Sequence, residues 1–192
     1  MNRKILLLCF SLMIWAVSLS AQKRNCGFEE ANNWHSPKMK QKLELIEAHI
    51  AKQIELKKSL KTSGVVYKIP VIIHIIHNGE PLGVGANIST AQAYSQIDVL
   101  NEDFRKLNAD LSDVRDVFEV LAEDTEIEFV LATQDPDGNT LAEPGIRRFN
   151  GGQAEWGISE FDQQIKPITA YDPYKYVNFW TAALEGDFLG YA

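Results

Sequence analysis

His74 and His77 form an H-x-x-H pair, a spacing that on a helix sets two metal ligands side by side. The residues around them, 65–76, are β-branched and apolar and predict a strand. On a strand, positions i and i+3 point to opposite faces, so one buried and one exposed histidine is the expectation, not a ligand pair. His35 and His49 are isolated, and His49 has no acidic or histidine neighbour three or four positions away. Asp135, Asp137 and Asn139 look like the start of a calcium loop, but the sixth and twelfth positions hold Thr140 and Ile146 in place of glycine and glutamate. Asp137-Gly138 fits a hairpin turn between strands better. Gly83-Val84-Gly85 lies where a dinucleotide loop would sit, yet the third glycine position is Ile88, and a flexible connection is expected. Neither G-x-x-x-x-G-K-[ST] nor G-x-S-x-G occurs. Asp98, Glu102 and Asp103 fall on the polar part of an amphipathic helix, where solvation is the default.

Cys26 is a different case. Lys23 and Arg24 precede it and Gly27 follows, so nearby cations favour the thiolate and the glycine permits close approach of backbone. The N-terminus sets its context. Arg3 and Lys4, an apolar run over 5–17 and the small residues of Ser18-Leu19-Ser20-Ala21 have the layout of a secretory signal peptide. The apolar run, which contains Cys9, is too short for a comfortable membrane span. Once residues 1–21 are removed, Cys26 is the one remaining cysteine. It is then intermolecular, incidental, or kept for its thiolate chemistry, for instance to ligate a metal in a site elsewhere. Loss of Arg3 and Lys4 makes the net charge of −7 two units more negative, which argues against nucleic acid or an anionic membrane as partner.

The elements that must position these residues are legible in outline. Ser36-Pro37 opens a helix whose Met39, Leu43, Ile46, Ile50 and Ile54 share one face, with Lys57, Lys58 and Lys61 at its end. That face must pack on the following domain or on a partner. A boundary is placed at about residues 61–64. Pro70 puts the first half of the 65–76 strand at an edge or a bulge. Ser89 and Gln92 form a capping box for the clearest helix, with Ala93, Ile97, Leu100, Phe104 and Leu107 as a continuous stripe. A short helix over 114–122 follows, then strands over 125–133, 145–149 and 176–183 and an extended piece from 188, with 150–172 read as loop. This order predicts an α+β fold with a twisted mixed sheet and helices on one side.

The segments Ile69-Pro70-Val71-Ile72-Ile73-His74 and Ser95-Gln96-Ile97-Asp98-Val99-Leu100-Asn101-Glu102-Asp103-Phe104-Arg105, with Leu107-Asn108, resemble the opening strand and first helix of pappalysin-like (cytophagalysin) metallopeptidases. Ile127-Glu128-Phe129, Gly145-Ile146-Arg147-Arg148, Tyr176-Val177-Asn178-Phe179-Trp180 and Leu189-Gly190-Tyr191-Ala192 are similar to the same family in the same order. The resemblance implies a zincin-like (metzincin) N-terminal subdomain over 64–192, a propeptide over 22–63 and the signal peptide over 1–21. It implies zinc as cofactor, with calcium a further candidate ion, and a peptide or protein substrate. Family members carry an H-E-x-x-H-x-x-G-x-x-H motif, whose histidines bind zinc and whose Glu activates the zinc-bound water. That motif is absent from this sequence. The expectation is therefore a secreted peptidase precursor represented up to, but not including, its zinc helix, and inactive as it stands.

Two site assignments follow from the resemblance. Leu189, Gly190, Tyr191 and Ala192 match the start of the upper-rim edge strand, which binds substrate through backbone hydrogen bonds. Cys26 lies where relatives have a cysteine switch, a sulfur ligand that keeps the precursor's zinc latent, and Lys57, Lys58 and Lys61 are candidate cleavage positions. Phe179, Trp180, Leu189 and Tyr191 are expected to need a partner surface, leaving the 192 residues marginally stable and aggregation-prone. The competing expectation is a non-catalytic exported binding module that retains the metzincin-like sheet.

Overall fold

The computed structural model describes residues 25–27, 37–57 and 64–192. The signal peptide, the Ser36 cap, His35, Lys58 and Lys61 lie outside these residues. Among those described, no helix is long and apolar enough to cross a membrane.

The elements are β1 (Asn25–Cys26), α1 (Pro37–Lys57), β2 (Tyr67–His77), α2 (Thr90–Phe104), α3 (Asp116–Glu119), β3 (Ile127–Leu131), β4 (Ile146–Asn150), α4 (Ile158–Glu160), a π-helical segment (Phe161–Ile165), α5 (Lys166–Thr169), β5 (Val177–Thr181) and β6 (Phe188–Gly190). The α+β class matches the sequence expectation.

β2 is the axis of the sheet. Its first half pairs with β3, its second half with β4 on the same side, and its middle with β5 on the other side. All three pairings are parallel, where the order of the elements predicted a mixed sheet. The Asp135 turn exists, held by its carboxylate accepting from the N–H groups of Asp137 and Asn139, but it does not pair β3 with β4. The two strands instead lie end to end along β2. Gly145 makes the hand-over: its N–H donates to Ala132 at 2.6 Å and its carbonyl accepts from Ile73 at 2.8 Å. Pro70 lies level with Val130 of β3, and its missing donor is tolerated because its backbone nitrogen faces the other side, where no strand pairs with it. Odd-numbered residues of β2 bond toward β3 and β4, and the pairing with β5 begins only at Val71.

Alternation along β2 divides the interior in two. Val71, Ile73 and Ile75 face α2, where they meet Ala93 and Ile97 together with Leu100 and Phe104. α2 begins on the full Ser89–Gln92 capping box that the sequence announces. Its Asn101 docks on β3, donating to the Phe129 carbonyl at 2.9 Å and accepting the Phe129 N–H at 2.7 Å. Arg105 holds Asp124 through two bonds of 2.9 and 3.2 Å.

The opposite face corrects two expectations. Residues 150–172 are not all loop, and helices cover both faces of the sheet. α4, the π segment and α5 form one helical stretch, 158–169, whose Phe161 and Ile165 pack with Ile76 and Trp156. Trp180 and Tyr191 pack on this second core, so they have the partner surface the sequence left unidentified, while Phe179 and Leu189 remain exposed. Gly83 and Gly85 are not a loose connection but a tight turn, with Gly83 N–H donating to Asn87 at 2.7 Å and Asn87 N–H to Val84 at 3.1 Å. On α1, Leu45, Ile46, Ile50 and Ile54 are exposed.

Candidate functional site

The strand β6 and the helical stretch 158–169 enclose a cleft of ≈ 630 Å³ lined by Lys166, Asn178, Trp180, Leu189, Tyr191 and Ala192, among others. All four residues that the resemblance assigns to substrate, Leu189, Gly190, Tyr191 and Ala192, lie along it. Its floor is built on His74. Asn178 Oδ1 accepts from His74 Nε2 at 2.8 Å and from the Tyr171 N–H at 2.8 Å, while its amide donates to the Tyr171 and Tyr176 carbonyls. The amide orientation assigns the His74 proton to Nε2 and leaves Nδ1 a bare acceptor with no partner among the described residues. Trp180 stacks on the imidazole at 5.1 Å between ring centres and donates through Nε1 to Thr169 Oγ1 at 2.9 Å. Burial lowers the His74 pKa to about 4, against the opposing pull of the Asn178 bond, and the Arg147 charge lowers it further. His74 is thus a buried, neutral group, and among the described residues it belongs to no cluster of three ligand side chains. His77, half-buried, accepts the Gly79 N–H at 3.0 Å. The H-x-x-H residues are not brought together.

The rim is tied down from the helix side. The Tyr191 hydroxyl donates to Asp162 Oδ1 at 2.7 Å, and Lys166 reaches the same oxygen at 2.7 Å. Lys166 also lies 4.3 Å from the centre of the Tyr191 ring, a cation–π distance. Burial pushes the Tyr191 hydroxyl well above the usual tyrosine range, and the bond to Asp162 adds to it. Asp162 and Lys166 were hidden in sequence because Pro167 and weak periodicity disguised the helix. The signal was the spacing of Ile158, Phe161 and Ile165, all buried, with the π turn shifting the phase afterwards.

The outer side of β6 carries β1. Asn25 pairs with Phe188 and Cys26 with Gly190, in parallel orientation. The Gly27 N–H donates to the Gly190 carbonyl at 2.7 Å. The Cys26 sulfur lies 3.9 Å from that same carbonyl and is exposed, as a free thiol. The fold therefore joins the two sequence-predicted site groups, 164 positions apart, at one strand edge.

Zinc needs more donors than these residues supply. Among the described residues no three His, Cys, Asp or Glu side chains converge on a point, and Cys26 offers one sulfur donor where a structural or catalytic zinc takes at least three protein ligands. These residues do not form a zinc site by themselves. Asp98, Glu102 and Asp103 are exposed on α2, as a solvated face should be.

No protein-family model matches the chain, and no curated protein does. Solved structures do. Mirolysin in complex with a compound is 38% identical over 67% of this chain and 46% of its own, with a TM-score of 0.58. Mature mirolysin of Tannerella forsythia, in complex with a cleaved peptide, is 36% identical over 62% of this chain and 43% of its own, at 0.52. A point mutant of Tannerella forsythia promirolysin is 33% identical over 88% of this chain and 52% of its own, at 0.65. The chain spans about half the length of these structures. In sequence and in fold together, this chain is similar to mirolysin and its precursor promirolysin.

Proposed function

We propose that this chain carries the precursor segment and the first part of the catalytic domain of an exported, pappalysin-like zinc metalloendopeptidase. The observation that carries the reading is the β1–β6 pairing: the segment around Cys26 lies on the edge that the resemblance assigns to substrate. The similarity to promirolysin supports it, since that match covers 88% of this chain against 62% for the mature protein. On this reading residues 1–21 direct export, 22–63 form the propeptide and 64–192 begin the catalytic domain. A peptide substrate would add to β6 through backbone hydrogen bonds, at Leu189, Gly190, Tyr191 and Ala192. While β1 occupies that edge, it blocks such addition, and Cys26 would be a sulfur ligand to the zinc of the latent form. The remaining ligands belong to a motif that these residues do not include.

The product of the entire coding sequence tests the reading. One zinc per molecule and chelator-sensitive cleavage of peptides are expected after removal of the propeptide. A processed protein with neither would overturn it in favour of a binding module that retains the sheet. Cys26→Ala in the full precursor is expected to release activity before processing. An unprocessed Cys26→Ala precursor as latent as the parent would show that the sulfur is not the switch.

A further inference from the structure

Gly27 sits in a slot closed on three sides. A methyl group on its Cα would stand 2.8 Å from Ile158 Cδ1, 3.2 Å from the Gly190 carbonyl oxygen and 3.3 Å from Cδ1 of the Phe188 ring. Gly27 is buried, although Cys26 beside it is exposed. Its φ lies outside the left-handed region, so the demand for glycine is one of space and not of backbone conformation. Ile158 is itself buried at the start of the helical stretch, which leaves its methyl little room to swing aside. The Gly190 carbonyl is backbone and accepts the Gly27 N–H, so moving it away would break the bond that holds the segment. The restriction belongs to the incoming segment: a side chain on Gly190 would meet nothing within 4 Å. Leu189, next along β6, is exposed.

We infer that Ile158 and the β6 backbone make this edge selective, admitting an extended peptide parallel to β6 in this register only where the residue that donates its N–H to the Gly190 carbonyl has no side chain, with Gly27 as the chain's own occupant. Ile158 is then the specificity-determining residue of the edge. An extended peptide with glycine at that position competes with the 25–27 segment, and one with a side chain there does not. The inference rests on the proposed reading only in taking this edge as the substrate edge; the steric selection needs no metal.

Hydrogen exchange at residue 27 in the full precursor tests it, because that N–H is the one bonded to Gly190. Gly27→Ala is expected to raise exchange there about tenfold or more, as overpacking weakens the pairing. Ile158→Val removes the one methyl that the slot presents, a mild change for a core position. By itself it should leave exchange at Gly27 slow, and combined with Gly27→Ala it should restore most of the protection. Protection at position 27 as strong in the Gly27→Ala precursor as in the parent, or no recovery in the double variant, would overturn the inference. Cys26→Ala separates the two ideas: slow exchange at Gly27 is expected there whether or not latency is lost. Lost latency in Cys26→Ala with full protection in Gly27→Ala would leave the sulfur role standing and remove the steric one.

Discussion

Asn178 uses its whole hydrogen-bonding capacity on two neighbours and a histidine, and His74 depends on it. The imidazole is buried, neutral and closed in by Trp180 and Tyr171. Its pKa falls from 6.5 to about 4 on folding, so the folded state disfavours the proton. The stability this contributes is complete above pH 6.5, is lost as the pH falls toward 4, and changes no further below. Among the groups around the ring, Arg147 also disfavours the proton, the Asn178 bond opposes the shift without reversing it, and Tyr171 and Trp180 carry no charge. Across that window the loss is on the order of 3 kcal/mol. His74→Gln keeps a donor for Asn178 and removes the titration. Thermal melts between pH 7 and 4 should show a shallower decline for it, by up to about 1.4 kcal/mol per pH unit. Parallel declines would show that His74 does not govern acid stability. The pair was legible in sequence only as far as its geometry: alternation along a strand ruled out two converging ligands, but nothing local announced Asn178, 104 positions away.

The elements differ in how openly the chain declared them. α2 was legible except at its end, because its cap, stripe and polar face are properties of spacing within 15 residues, while Leu107, expected in the stripe, lies beyond Phe104 and is exposed. The helical stretch 158–169 was not, because a π turn breaks the 3.6-residue phase and Pro167 imitates a loop. The end-to-end placement of β3 and β4 was hidden too, since a turn sequence does not say which strand its flanks will pair with. Gly145 is the hinge of that arrangement. Its φ is +68°, and a Cβ there would lie 2.9 Å from Leu131 Cβ and 3.2 Å from Leu131 Cα. Gly145→Ala should therefore cost about 2–4 kcal/mol, from left-handed backbone and overpacking together. Urea denaturation measures it, and a loss under about 0.5 kcal/mol, the scale of an ordinary surface change, would contradict the hand-over as described.

At the scale of the molecule, β2 makes two cores one cooperative unit. Ile97 belongs to the core on the α2 face, and Phe161 to the core beneath the cleft. Because both cores press on opposite sides of one strand, Ile97→Val and Phe161→Leu should lower the same single transition, each by about 0.5–2 kcal/mol. Calorimetry that resolves two transitions, with each substitution moving a different one, would show that the faces fold separately. The cleft depends on this unity, since its floor rests on His74 of β2 and its rim on Tyr191 held to Asp162.

Spacing along the chain was enough to predict the clearest helix, the central strand and the α+β class, while the resemblance, not spacing, singled out residues 189–192 and the switch role of Cys26. The first three are short-range properties, written in charge, periodicity and capping. Neither could establish that the two groups meet, that the strands run parallel, that helices cover both faces, or that Gly27 faces Ile158. Those facts depend on contacts between residues far apart in the chain, and only the packing of one surface against another fixes them.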